Sequence, residues 1–308
     1  MTDSRTSGLI RWTPGLFVLL WSTGFVAARY ATIDAGPLSF LAARFVCAAS
    51  ILWVVAVVIR APRIERRQVG WASATAVGMH VLYLGGIFWA IAQGLPTGLS
   101  ALIAGLHPVV TSVAGRWVLG ERLSTRQWFG IGLGVIGVVV VVIDRMQAQA
   151  GDVTGPTLIA MVVAVVGMAA GTLVQRGRGA TMPLVRGTAV QYTSAAAILL
   201  VAAVADEGWD FHPSARLWFS LGWAVLVLSI AAVLIMMMLL QRQAAAKVSS
   251  LFFLTPALST IEGAWLFSER LGALAWLGLV VALFGVFLTT QNRSMQNRST
   301  QPGSSQPV

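Results

Sequence analysis

Residues 106–137 read LHPVVTSVAGRWVLGERLSTRQWFGIGLGVIG, and residues 254–285 read LTPALSTIEGAWLFSERLGALAWLGLVVALFG. Aligned without a gap, they share Leu106 with Leu254, Pro108 with Pro256, Gly115 with Gly263 and Trp117 with Trp265. They also share Glu121-Arg122-Leu123 with Glu269-Arg270-Leu271, Trp128 with Trp276, Gly130 with Gly278 and Gly137 with Gly285. Every pair keeps one offset, 254 − 106 = 148, and Gln93 and Gln241 keep it too. Apolar helices match at Leu or Val by chance, but not at a proline, two tryptophans and a Glu-Arg pair together. The chain contains an internal repeat.

The sequence around the repeat identifies its solvent. Of 308 residues, 57% are hydrophobic and 10% charged, with a mean hydropathy of +0.79, against about 25% charged in soluble domains. A hydrocarbon core of about 30 Å needs about 20 apolar helical residues. Runs of that length, closed by charges, Pro or Gly, predict ten transmembrane helices at 14–33, 37–59, 70–92, 96–118, 126–144, 155–175, 185–205, 216–239, 246–267 and 273–291. The fold class is an all-α polytopic membrane protein. The first run continues past a signal-peptide h-region to Tyr30 without an A-x-A pattern, so it reads as a retained helix. The resulting organisation is a cytoplasmic N-terminal segment (1–13), a first repeat (14–144), an external connection (145–154), a second repeat (155–291) and a disordered cytoplasmic tail (292–308). The lone Cys47, inside an apolar run, allows no intramolecular disulfide and reads as a packing residue.

A net charge of +10 and a pI near 11.4 would suggest nucleic acid in a soluble protein. Here the basic residues occupy short spacers between apolar runs, so no nucleic-acid partner is expected. With ten spans both termini share one side. That side holds Arg5, Arg11, Arg60, Arg63, Arg66, Arg67, Arg122, Arg126, Arg176, Arg178, Arg186, Arg242, Lys247, Arg293 and Arg298; the other holds Arg145, Arg216 and Arg270. The positive-inside rule then places both termini in the cytoplasm. Five helices per repeat is an odd number, so the second copy enters the membrane upside down. Inverted repeats are the recurrent plan of secondary transporters, with substrate bound near the midplane between the halves.

The residues Leu20-Trp21-Ser22-Thr23-Gly24-Phe25, Ala42-Ala43-Arg44-Phe45, and Pro108 to Glu121-Arg122-Leu123 with its copy Pro256 to Glu269-Arg270-Leu271 resemble the EamA type of the drug/metabolite transporter superfamily. The likeness runs from about residue 14 to 290. It implies ten helices in two inverted five-helix repeats, in a bacterial inner membrane, moving amino acids, other metabolites or drugs. The expected function is a secondary transporter, an exporter, working by alternating access as a monomer or homodimer. An intramembrane enzyme or a channel is the alternative.

Several residues could carry transport. Pro108 and Pro256 interrupt helices 4 and 9 at matching places, as hinges or as static kinks. Glu262, near the middle of helix 9, is costly at membrane depth; it could bind a substrate ammonium, carry a coupling proton or form a structural bond. His80 and His107 could relay protons or touch substrate, although buried neutral histidines bonded to a neighbouring helix are as common. Trp21, Tyr83 and Trp265 offer bulky aromatic surface, and Ser22, Thr111, Gln175 and Gln191 offer hydrogen bonds to substrate or between helices. Arg44 is expected to be structural, pairing with Asp34 or a carbonyl at the outer surface, with substrate binding as the alternative. Glu121 and Glu269, shared by the two copies, are expected to be structural too. No Walker loop, zinc-hydrolase motif or G-x-S-x-G is present. No cofactor or metal is expected; the partners are lipid, a small-molecule substrate and a coupling proton.

Overall fold

The computed structural model describes residues 3–118, 120, 123–148, 153–179, 181–233, 235, 254–269 and 272–291. In lipid a backbone must satisfy its own hydrogen bonds, which favours helices for apolar runs. Every regular element among the described residues is a helix, joined by one isolated bridge between Ala35 and Phe211. In chain order these are α1 (Asp3–Ala31), α2 (Pro37–Val58), α3 (Arg66–Ala92), α4 (Thr97–Val118), α5 (Thr125–Ala148), α6 (Gly155–Gly177), α7 (Leu184–Glu207), α8 (Ala215–Ala231), α9 (Leu254–Phe267) and α10 (Ala273–Gln291). Six of them, α2 to α7, are long and apolar enough to cross a membrane, and Gly15–Ala31, Ala215–Ala231 and Ala273–Thr289 are shorter apolar stretches. α1 begins at Asp3 rather than near residue 14. Hydropathy marks where a helix enters lipid, and the helix itself continues beyond that point. The expected tail 292–308 lies outside the described residues, as do Glu121, Arg122, Arg270, Gln241 and Met236 to Met238.

Prolines and caps shape the ends. Thr154 and Thr157 form a reciprocal capping box at the start of α6, which also has a proline in its first turn. Within α4 the helix is broken at Gly105 and Leu106, between Thr97–Ala104 and His107–Val118. Pro108 lacks the N–H that would reach Ala104 O. His107 Nδ1 lies 3.1 Å from that oxygen; a carbonyl only accepts, so the ring donates and satisfies the group that the proline leaves free.

Three pairs of repeat-equivalent helices, α2 with α7, α4 with α9 and α5 with α10, pack against each other and run antiparallel. In the α5–α10 pair, Gln127 bonds the carbonyl of Thr289, Gly130 approaches Gly285, and Gly137 approaches Gly278 and Ala282. A Cβ on Gly137 or Gly285 would collide with the opposing backbone, so the small residues allow a close crossing that lipid alone does not drive. In α4 and α9, Thr97 meets Gly263, Gly98 meets Thr260 and Gly105 meets Pro256. In α2 and α7, Ser39 bonds Glu207 at 2.7 Å and Trp53 bonds Thr193 at 3.0 Å. The first and third helices exchange partners between halves, with α3 packed on α6 and α8 on α1.

Polar groups tie the connections at one end. Arg216 grips Asp34 with two hydrogen bonds of 2.8 and 2.6 Å, and Ser214 adds a third at 2.6 Å. The Arg216 guanidinium, aided by the Ser214 hydroxyl, holds the Asp34 carboxyl down to about 2. Glu207 accepts from the backbone N–H groups of Leu38 and Ser39 at the start of α2, and Glu269 accepts from those of Thr97 and Gly98 at the start of α4. A carboxylate at a helix N-terminus satisfies orphan donors and complements the dipole. Each of these two carboxylates caps a helix of the opposite half.

Candidate functional site

Between the halves lies a cavity of ≈ 280 Å³. It is lined by Trp21, Gly24 and Phe25 of α1, Arg44 and Phe45 of α2, Met79, His80, Tyr83, Leu84, Ile87 and Phe88 of α3, Met168 and Gln175 of α6, Thr188, Gln191 and Tyr192 of α7, Leu228 of α8, and Val233 just beyond it. The lining thus draws on the first three helices of each repeat.

Two of those helices widen where they face it. α3 takes a π-helical turn over Val77–Leu82, which holds Met79 and His80. α8 does the same over Trp223–Ala231, which holds Leu228. Adding the repeat offset to the first gives 77 + 148 = 225 and 82 + 148 = 230, inside the second. π turns cost helical regularity and concentrate at functional sites, and here both copies of the repeat place one against the same space.

The polar groups form a line along one side. His80 Nε2 lies 3.4 Å from Gln191 Oε1, and Gln191 Nε2 donates to Gln175 Oε1 at 3.0 Å, linking α3, α7 and α6. The rings of Phe45, His80 and Tyr192 form a triangle with all centroids 5.1 Å apart. Beside it sits Arg44, 7% exposed, with its guanidinium carbon 5.6 Å from the Phe45 ring centroid. Arg44 Nε donates to Ser229 Oγ at 3.1 Å, and the Tyr192 hydroxyl donates to Ser229 O at 3.3 Å. Among the described residues the terminal nitrogens of Arg44 have no partner, and no Asp or Glu lines the cavity.

The expected role of Arg44 as a surface partner of Asp34 is corrected by this arrangement. α2 starts at Pro37 and rises about 1.5 Å per residue, which carries Arg44 roughly 10 Å below the clasp, and Arg216 occupies Asp34 instead. Of the other candidates, Trp21, His80, Tyr83, Gln175 and Gln191 line the cavity. His107 sits at the α4 break, edge-on to Tyr83 at 6.3 Å. Thr111 is buried and bonds the His107 carbonyl at 2.7 Å. Ser22 is not among the described lining residues and donates to Glu262 Oε1 at 2.6 Å, while Glu262 Oε2 is buried with no partner. Trp265 is 82% exposed and its repeat equivalent Trp117 81% exposed; both stand near a helix end facing outward, as interfacial anchors do. Pro256 packs on Gly105 at the α4 break, and Glu269 has the capping place described above. Phe45, Met79 and Met168 escape a reading of polar residues, since nothing in their chemistry separates cavity wall from core.

The EamA-like transporter family matches residues 15–143 and 155–291. The chain belongs to this family. It is 24% identical over 278 residues to the uncharacterized inner membrane transporter YedA of Escherichia coli (strain K12), covering 88% of this chain and 87% of that one. It is 25% identical over 285 residues to a probable amino-acid metabolite efflux pump of the same strain, covering 89% and 92%. A solved crystal structure matches with a TM-score of 0.67 and 18% identity over 94% of this chain and 99% of that one, a likeness of fold. The chain is accordingly a multi-pass membrane transporter of the inner-membrane EamA type.

Proposed function

We propose that this EamA-family chain is a secondary carrier that exports small organic metabolites, amino acids or drugs among them, by alternating access. In this reading ten helices span the bilayer and both termini are cytoplasmic. The observation that carries it is the cavity at the meeting of equivalent helices from two antiparallel halves, where rocking of one half on the other exposes the same site to either side. The break in α4 before Pro108, packed on Pro256, gives the rocking a place to bend. Glu262, with one carboxylate oxygen on Ser22 and the other unpartnered, is the group placed to carry a coupling proton. The relative named as an amino-acid metabolite efflux pump supports amino-acid-derived substrates and export.

Counterflow in proteoliposomes tests the reading. A carrier preloaded with unlabelled substrate accumulates labelled substrate transiently above its equilibrium level; a channel equilibrates it without overshoot. A panel of amino acids and aromatic metabolites is expected to give overshoot for a subset. Correctly inserted protein that gives equilibration alone, or chemical conversion of a panel member, would remove the carrier assignment.

A further inference from the structure

We propose that the cavity takes an organic monoanion, with its carboxylate on Arg44 and an aromatic or bulky apolar body against the ring-lined wall; this rests on the carrier reading above. The argument starts from the charge inventory. The chain has 11 acidic residues, and all but Glu262 lie outside the apolar runs or at their ends. Glu262 is engaged with Ser22 at the α1–α9 contact and does not line the cavity. Among the described residues Arg44 is therefore the one permanently charged group in the lining, and no Asp or Glu there answers it.

A guanidinium taken from water without an anion is strongly unfavourable, and a protein retains one where something supplies the missing charge. The Phe45 face and Ser229 Oγ compensate in part, and they fix the fork in place through Nε. The two terminal nitrogens remain for a ligand, in the planar geometry that a carboxylate matches with two parallel hydrogen bonds. The same lining includes Phe25, Tyr83, Phe88, Met79 and Met168, apolar and polarizable surface suited to a ring.

The same inventory separates an anion from a zwitterion. An amino acid brings an ammonium as well as a carboxylate, and among the described residues the lining has no carboxylate to receive it. An aromatic acid without the ammonium leaves no such group unpaired. Outward movement of a monoanion also runs with the potential of a cell that is negative inside, in the same sense as proton entry.

Four probes on one scaffold isolate the charge: 3-phenylpropionate, phenylalanine, 2-phenylethylamine and 3-phenylpropionamide. Binding is titrated on the purified full chain, and charge movement is recorded on solid-supported membranes after a jump in each probe. The acid is expected to bind at least about tenfold more tightly than the zwitterion, the amide or the amine, and to move negative charge. Arg44→Gln should weaken the acid by at least about tenfold and leave the amide unchanged. Arg44→Lys, which keeps the charge and loses the fork, should fall between and decides the matter if Arg44→Gln does not fold. Equal binding of the acid and any other probe, unaltered acid binding in Arg44→Gln, or no acid binding at all would overturn the assignment. Acid bound through Arg44 without charge movement would keep the anion site and remove the carrier reading. Phenylalanine flux without acid binding would do the reverse.

Discussion

Arg44 and Tyr192 occupy the same position in the two repeats, 192 − 44 = 148, and both are anchored on Ser229, Arg44 through the side-chain oxygen and Tyr192 through the carbonyl. The repeat thus supplies one shared backbone position with two different side chains, a cation from the first half and a phenol from the second. Symmetry builds the frame of the cavity, and departures from symmetry set its chemistry. His80 and Leu228, again 148 apart and both in the lining, repeat the pattern.

Ser229→Ala removes the bond that aims the guanidinium. A hydrogen bond to a charged group is worth about 1.5–3 kcal/mol, so substrate affinity should fall by about tenfold or more. Tyr192→Phe removes a neutral bond of 3.3 Å and should cost about 1 kcal/mol or less in stability. Titrations and thermal midpoints of the two variants in parallel check the contrast.

The close crossing of α5 and α10 makes a second prediction. In Gly285→Val the added carbons meet the backbone of Gly130 and Gly134, which cannot retreat as a flexible side chain would. Overpacking of this kind costs about 1–3 kcal/mol or more, and the thermal midpoint should fall well below the native value. Gly132→Ala, with nothing within 4 Å of the new carbon, is the control and should be neutral or slightly stabilising.

Glu269 accepts two backbone N–H groups and the Thr97 hydroxyl at the start of α4. Loss of a capping group costs about 0.5–2 kcal/mol, so Glu269→Ala should lower stability by about that amount, and Glu269→Gln by less. Hydrogen exchange localised to the first turn of α4 should rise in step. Exchange rising uniformly along the chain instead would assign the residue no local capping role.

Much of the architecture was legible in the sequence because its signals are coarse. The 148-residue offset of Pro108 and Pro256, of the Glu-Arg pairs and of the glycines survives in a single chain, and the opposite directions of α5 and α10 agree with it, whereas their contact is seen only in the structure. The site was legible in part. Trp21, His80, Tyr83, Gln175 and Gln191 are in the lining, since large or polar side chains at depth must find partners. The pairing of Arg44 with Asp34 was misplaced because proximity in sequence suggested a contact that helix rise forbids. Trp265 was misplaced because apolar runs do not reveal which face meets lipid. The two π turns left no mark in composition, as they depend on backbone registry between packed helices.

The clasp of Arg216 on Asp34 gives a pH dependence with a definite sign. The Arg216 hydrogen bonds lower the Asp34 carboxyl from 3.8 to about 2. A carboxyl lowered in the folded state contributes stability that is complete above 3.8 and is lost as pH falls through about 2. From pH 8 to about 4 this pair should therefore add no slope to the thermal midpoint, with a decline below it. Asp34→Asn should flatten that acid decline and lower the midpoint at neutral pH; an unchanged acid limb would show that other carboxyls govern it.

Glu262 separates coupling from transport. Its Oε1 accepts from Ser22, whose carbonyl in turn accepts from Ser259, while Oε2 has no described partner. The carboxyl therefore joins α1 of one half to α9 of the other, with one oxygen open to a proton. A proton gained or lost there changes the bond between two helices that alternating access must move relative to each other. Glu262→Gln keeps the shape and the bond to Ser22 but cannot exchange a proton. Counterflow, which needs no gradient, should survive within about twofold, while accumulation driven by an imposed pH gradient should vanish. Loss of both activities with an intact fold would make the group part of the moving contact and not a proton carrier. Retention of both would remove Glu262 from the transport cycle.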